Sequence, residues 1–271
     1  MKLCMMSYTI ERQPEFFDLR EMLELTQELG LEGIDFAARD DPPVGELRRM
    51  AEDYGLPVAC YTFSADLNFP EATERQPGVD AAKRGLEYAA ALGTDKVMIP
   101  VTGKPGLPRE TSRRNVILGL QAVIGFAQDL GVRLTIENFP GADSAFVIAS
   151  DVLQALREVP GLGLTFDNGN VLTGGEDPAA SFTQCAPYVI HAHFKDWSLA
   201  PPGEGLRGLD GRYYRGALIG EGVVDQKSCL DAMRAAHYEG FINIEYEGND
   251  YSPAEAVRRA TAYLRGLMEE W

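Results

Sequence analysis

Two kinds of apolar pattern alternate along the chain. In one, apolar residues recur every three or four positions, as on one face of a helix. In the other, a short stretch runs almost continuously apolar or β-branched, as in a strand covered on both faces. A glycine often marks the change from the first to the second. Glu28-Leu29-Gly30 precedes Leu31–Phe36, Asp53-Tyr54-Gly55 precedes Leu56–Tyr61, and Ala91-Leu92-Gly93 precedes Lys96–Pro100. Asp129-Leu130-Gly131, Val159-Pro160-Gly161 and Tyr238-Glu239-Gly240 precede later runs in the same way. Glycine suits the left-handed residue that ends a helix, so each reads as a helix stop followed by a strand.

The helical stretches are well patterned. Glu15–Leu29 sets Phe16, Leu19, Met22, Leu23 and Leu29 at helical spacing, and Thr111–Leu130 aligns Val116, Leu120, Val123, Ile124, Ala127 and Leu130. Ser252-Pro253-Ala254-Glu255 reads as a capping box that opens a last helix running to about Met268. Strands are expected at Leu3–Ser7, Gly33–Phe36, Val58–Tyr61, Lys96–Pro100, Arg133–Ile136, Gly163–Phe166, Val189–Phe194 and Phe241–Tyr246. Eight strands with helices between them predict a (β/α)₈ barrel, an α/β fold that needs ~250 residues. The chain has 271, so one domain spanning 1–271 is expected. A doubly wound open sheet usually has fewer strands, and no glycine-rich phosphate fingerprint follows the first one. The long irregular stretch 197–222, rich in Gly, Pro and Arg, is expected to be a lid.

Composition narrows the partners. Lys plus Arg number 25 against 41 Asp plus Glu, a formal charge of 25 − 41 = −16. Such a chain is poorly suited to a nucleic-acid backbone or an anionic membrane surface, both of which need clustered basic residues. No stretch approaches the ~20 apolar residues of a membrane span. The start of the chain turns polar at Glu11-Arg12-Gln13 without an export cleavage pattern, so a cytoplasmic protein is expected. Cys4, Cys60, Cys185 and Cys229 lie far apart, which suggests free thiols rather than a disulfide or metal-thiolate framework.

In a barrel of this kind the chemistry sits at the C-terminal ends of the strands. The last four strands each end in an ionisable residue: Glu137, Asp167, His193 and Glu245. Three carboxylates and an imidazole on one rim would repel strongly without a cation. The oxygen-rich set favours Mn²⁺, Mg²⁺ or Co²⁺, with Zn²⁺ also accepted. His191 competes with His193, because residues two apart share one face of a strand, and Glu247 competes with Glu245 in the same way. His193 is favoured because Lys195-Asp196 follows it towards the rim. Glu245 is favoured because Ile242-Asn243-Ile244 leads into it. His237, in the helix before the last strand, reads as structural.

The stretches Leu134-Thr135-Ile136-Glu137-Asn138, Leu164–Asn170, His191-Ala192-His193-Phe194-Lys195-Asp196, Gly220–Asp225 and Gly240–Glu245 resemble the xylose-isomerase-like TIM barrels. Within these, the chain looks like the sugar phosphate isomerase/epimerase group, with its tagatose and psicose 3-epimerases, hydroxypyruvate isomerases and inosose dehydratases. The resemblance implies that Glu137, Asp167, His193 and Glu245 hold one divalent metal ion, Mn²⁺ first. It also implies that Glu137 and Glu245 double as the acid/base pair. Their expected reaction is isomerisation or epimerisation of a sugar or keto-polyol, by proton removal next to a carbonyl through a metal-stabilised enediolate. A lyase on the same site, an inosose-type dehydratase or a 3-keto-glycoside β-eliminase, begins with the same step. A sugar-binding barrel without catalysis is the reading from another class.

One position departs from the family pattern. Where its epimerases commonly carry a substrate-touching His after the sixth strand, this chain has Asn170, which can hydrogen-bond but cannot titrate near neutral pH. His191, Lys195, Arg215 and Phe63 are further candidates for substrate contact. Arg207 and Arg212 of the 197–222 stretch are candidate anion contacts. The related endonuclease IV branch uses three zinc ions and needs more His than the 3 present. Barrels of this type often pair, so a homo-oligomer is a further expectation, with Trp271 a candidate contact.

Overall fold

The computed structural model describes residues 1–16, 18–38 and 42–270. Trp271, the candidate oligomer contact, lies outside the described residues. Eight parallel strands close into a barrel: β1 (Lys2–Met6), β2 (Ile34–Ala37), β3 (Val58–Thr62), β4 (Lys96–Ile99), β5 (Arg133–Glu137), β6 (Gly163–Asp167), β7 (Val189–Phe194) and, after three strands of a separate sheet, β11 (Phe241–Ile244). β11 pairs with β1 from Lys2↔Phe241 to Met5↔Ile244, which closes the ring. Helices α1 (Ser7–Glu11), α2 (Leu19–Glu28), α3 (Val44–Asp53), α4 (Ala72–Leu92), α5 (Arg109–Asp129) and α6 (Ala149–Glu158) alternate with the early strands. Helices α7 (Asn168–Leu172), α8 (Pro178–Cys185), α9 (Gln226–Ala235) and α10 (Pro253–Glu269) complete the outer layer. The (β/α)₈ barrel expected from the alternating pattern is the observed fold. Among the described residues no helix is long and apolar enough to cross a membrane.

Helix ends follow local chemistry. Asp18 caps α2 by accepting from Glu21 N at 2.9 Å, while Glu21 Oε2 accepts from Asp18 N at 3.0 Å, a reciprocal box that fixes the first turn. The helix therefore starts later than the apolar spacing suggested, and Phe16 falls outside it, 53% exposed. Leu130 is likewise exposed, because α5 ends at Asp129. Five of the six glycines that announce strands have positive φ. Gly240 does not. His237, expected within the helix before the last strand, instead takes the left-handed position after α9, at φ 54°. Gly240 is required for space instead, since a Cβ there would overlap the Tyr238 ring.

Strand alternation divides the interior into two kinds of environment. Leu134 and Ile136, Leu164 and Phe166, Ala192 and Phe194, and Ile242 and Ile244 join the apolar layer beneath the helices, with Leu86, Leu120 and Val123. The alternate positions Thr135, Thr165, His191 and Asn243 turn into the barrel and are fully buried there. Thr135 Oγ1 and Thr165 Oγ1 share a 2.7 Å hydrogen bond. Thr135 Oγ1 also donates to Val97 O at 2.8 Å. The barrel axis is thus polar, and each strand's next inward position carries its functional group to the rim. All four cysteines are free and buried. Burial pushes the thiols of Cys4, Cys60 and Cys229 up, and that of Cys185 up to about 12.

The stretch 197–222 is more ordered than its composition suggested. It carries most of a three-stranded antiparallel sheet of β8 (Asp196–Ala200), β9 (Leu206–Arg207) and β10 (Tyr213–Ala217). The buried Asp196 carboxylate anchors it: Oδ1 accepts from Trp197 N and Val224 N, and Oδ2 from Gly220 N and Gly222 N, all at 2.9–3.1 Å. Trp197, Tyr214 and Val224 form a small separate core beneath this sheet.

Candidate metal centre and substrate cavity

The inward parity of β5, β6, β7 and β11 carries Glu137, Asp167, His193 and Glu245 to one point at the barrel mouth. One ligand atom from each lies within 4.8 Å of the others, and all four residues are buried. Glu245 lies just past the last strand residue Ile244, yet its N–H still bonds Phe194 O at 2.9 Å, which fixes its side chain inward. Asp167 is held from both sides. Its backbone N–H donates to Asn138 Oδ1 at 2.9 Å, its C=O accepts from Asn138 Nδ2 at 2.7 Å, and its Oδ1 accepts from Asn170 N at 2.7 Å.

Four buried atoms of this cluster, Glu137 Oε1, Asp167 Oδ2 and both ring nitrogens of His193, have no hydrogen-bond partner. His193 Nδ1 is 2.8 Å from Glu137 Oε1 and 3.5 Å from Glu245 Oε2, but the angles do not make hydrogen bonds of these contacts. Buried polar atoms are normally hydrogen-bonded, so atoms without such bonds converging on one point fit the coordination of a cation. The donor set suits a divalent ion.

Electrostatics agree with a crowded anionic centre. Burial raises Asp167 well above the usual carboxylate range, more than Lys195 can offset. Burial opposes ionisation of Glu245 too, but Lys195 and His193 hold its carboxyl down to about 2. Lys195 is itself buried, and the carboxylates Asp167, Glu245 and Glu247, at 3.3, 3.2 and 3.4 Å, overcome the burial cost and lift its pKa well above the ordinary value. Burial raises Glu247 as well.

A cavity of about 420 Å³ opens directly over this cluster. Its floor includes Glu137, His193, Lys195, Glu245 and Glu247, and its walls include Met6, Tyr8, Leu67, Met98 and Phe139. At the far end Lys104 Nζ joins two loops, bonding Asn68 O at 2.7 Å and Asp66 Oδ2 at 3.0 Å, 3.3 Å from the centre of the Phe69 ring.

The sequence candidates divide clearly. Glu137, Asp167, His193 and Glu245 come together, and Lys195 lines the cavity beside them. Glu247 lines the cavity but is not in the four-residue cluster. His191 does not line it. It lies deeper in the barrel, its Nε2 2.5 Å from Asp35 Oδ2, because it sits one inward step below His193. Phe63 packs under α4, where a Cβ on Gly85 would overlap its ring. Asn170 is fully buried on α7 behind Asp167. Arg215 and Arg207 are exposed on the added sheet, and Arg212 pairs with Asp210 at 2.5 Å. None of these six lines the cavity. Sequence reasoning did not single out Asp35 or Lys104, and it marked the loop from Tyr61 to Phe69 as a pocket wall for its aromatics rather than for Asn68. Asp35 left a signal, a lone acid at an inward position of an apolar run; Asn68 and Lys104 sit on loops without periodicity.

A sequence profile of the xylose isomerase-like TIM barrel family matches residues 23–267. An inosose dehydratase from Lacticaseibacillus casei is 25% identical over 159 residues, which are 55% of this chain and 53% of that protein, so the chain matches about half the length of this relative. Among solved structures, the IolI protein with a bound zinc atom superposes with a TM-score of 0.82 at 17% identity, covering 100% of this chain and 99% of that one. An L-ribulose 3-epimerase superposes with a TM-score of 0.79 at 15% identity, covering 99% and 96%. With the family profile spanning most of its length and the barrel closed as the family requires, this chain belongs to the xylose isomerase-like TIM barrels.

Proposed function

We propose that the cavity is the active site of a divalent-metal-dependent isomerase or epimerase acting on a sugar or keto-polyol. The observation that carries this reading is the convergence of four buried acid and imidazole side chains, with atoms that lack hydrogen bonds, at a cavity sized for a small molecule. Glu137, Asp167, His193 and Glu245 would hold the ion, with Mn²⁺ the first candidate. When bound, the ion draws charge from neighbouring substrate oxygens and so makes the adjoining C–H proton more acidic. Glu137 and Glu245 then do the proton work. One carboxylate removes the proton and the other returns it, to the opposite face in epimerisation or, after the carbonyl shifts, to the neighbouring carbon in isomerisation. Lys195, a buried cation on the same floor, donates to a substrate oxygen. Met6, Leu67, Met98 and Phe139 give the cavity apolar contacts, and the Lys104–Asp66 pair gives it a second polar one.

A second reading is supported by the inosose dehydratase relative. Loss of a hydroxyl from the carbon beside the deprotonated one turns the same first step into a dehydration. The test is C–H exchange in D₂O with Mn²⁺, screened over ketoses, keto-inositols and hydroxypyruvate, with product mass recorded. Exchange with mass otherwise retained supports isomerisation, and loss of one water supports the dehydratase. Glu137→Gln and Glu245→Gln should each cut exchange by about 10²–10⁴-fold. Unchanged exchange in both variants would refute the assignment.

A further inference from the structure

Asp35 is a fully buried carboxylate that neither lines the cavity nor belongs to the four-residue cluster. It projects from β2 into the barrel axis. Its Oδ2 lies 2.5 Å from His191 Nε2 and 3.6 Å from His193 Nε2. Its Oδ1 faces Cys4 Sγ at 3.9 Å. The two imidazoles stand edge to face, 5.3 Å apart at 88°. His193 thus has a carboxylate on each side of its ring. Nδ1 faces Glu137 and Glu245, and Nε2, which has no hydrogen-bond partner, has Asp35 as its nearest acid.

We infer that Asp35 is a positioning residue that acts through His193. By drawing the Nε2–H towards itself, it leaves the Nδ1 lone pair aimed at the cluster. A carboxylate behind a ligating imidazole fixes the ring's tautomer and orientation and raises its basicity. His191 completes the arrangement from below. Its hydrogen bond to Oδ2 keeps the Asp35 carboxylate in the axis, where a lone buried charge would be costly. This inference rests on the metal site proposed above.

The test is a double-mutant cycle read by Mn²⁺ binding, with calorimetry and electron paramagnetic resonance, so no substrate is needed. Asp35→Asn should weaken Mn²⁺ binding by about 10–100-fold. In a His193→Ala background the same substitution should have almost no further effect, because the group through which Asp35 acts is gone. Equal losses in both backgrounds would mean a structural or general electrostatic effect, and no loss in the first would mean no role; either overturns the inference. Should the variants fail to fold, Zn²⁺-loaded wild type carries a second readout. Ring ¹⁵N spectra should show His193 bound through Nδ1 with Nε2 protonated, and binding through Nε2 overturns the inference. A wild type that binds neither ion overturns the metal site itself, whereas a wild type that binds both with Asp35→Asn unchanged overturns only the role of Asp35.

Discussion

Replacing Lys195 by Met tests how the site tolerates its own charge. The ammonium lies 3.2–3.4 Å from Asp167, Glu245 and Glu247. At an effective dielectric of 20, each contact is worth about 5 kcal/mol before desolvation. The ligand atoms of Glu137, Asp167 and Glu245 lie within 4.8 Å of one another, so each ionised pair repels by about 3.5 kcal/mol or more on the same scale. The ammonium therefore offsets much of that repulsion. Methionine keeps the length of the side chain but removes the charge. The net cost is well below the Coulomb sum, because the burial penalty of the ammonium disappears as well. Removing one partner of a buried pair typically costs about 3–5 kcal/mol. At about 2 °C per kcal/mol for a chain of this size, the metal-free variant should melt about 6–10 °C lower. Scanning calorimetry in EDTA and in excess Mn²⁺ measures this. A bound dication replaces the missing charge, so the rise on adding Mn²⁺ should be larger in the variant than in wild type. Lowering the pH should shrink the penalty, since Asp167, already held high by burial, takes up a proton in place of the lost ammonium. Equal metal-free melting temperatures, or a metal-induced rise no larger than in wild type, would refute the argument.

Two further outcomes follow from local geometry. Asp225 caps α9 by accepting from Ser228 N at 2.9 Å and from Ser228 Oγ at 2.7 Å, bonds that hold its carboxyl below the usual range. Its contribution is present above the unfolded-state value and is lost as pH falls through the lower folded one. Asp225→Ala should cost about 1 kcal/mol in urea unfolding at neutral pH and almost nothing near pH ~2, and a penalty independent of pH would contradict this. At Gly222 a Cβ would overlap Asp196 Oδ1 and Trp197 O. Gly222→Ala should therefore loosen the Asp196 anchor, lower stability by about 1–3 kcal/mol and speed proteolysis within 197–222; an unchanged cleavage pattern would show that the anchor does not hold the sheet.

The barrel was legible in the sequence because its strands and helices have different apolar periods and glycines punctuate them. The four-residue cluster was legible for a related reason. In Leu134-Thr135-Ile136-Glu137 and Leu164-Thr165-Phe166-Asp167, alternation tells which residues face inward, and the strand end tells which of those reaches the rim. His191 and His193 share that parity, so only their depth in the barrel separates them, and depth depends on the stagger between strands. The same limit applied to Phe63, whose parity said nothing about which side of the wall it packs on. Lys104 and Asn68 meet in the cavity because two loops fold over each other, a contact between residues 36 apart that no local pattern encodes. The extra sheet was hidden by its Gly- and Pro-rich composition. What orders it is one buried acid, Asp196, accepting from four backbone N–H groups.

The burial of all four cysteines has a practical consequence for reagent chemistry. Alkylating and labelling agents attack the thiolate, and burial both blocks access to these sulfurs and suppresses their ionisation. The folded protein therefore offers such reagents a quiet background without removal of any native cysteine. A cysteine introduced at Val223, 49% exposed and adjoining the Asp196 anchor, would take up a dye or spin label ahead of the native thiols. Such a label would report on the Asp196 anchor of the added sheet from a position outside the charged centre.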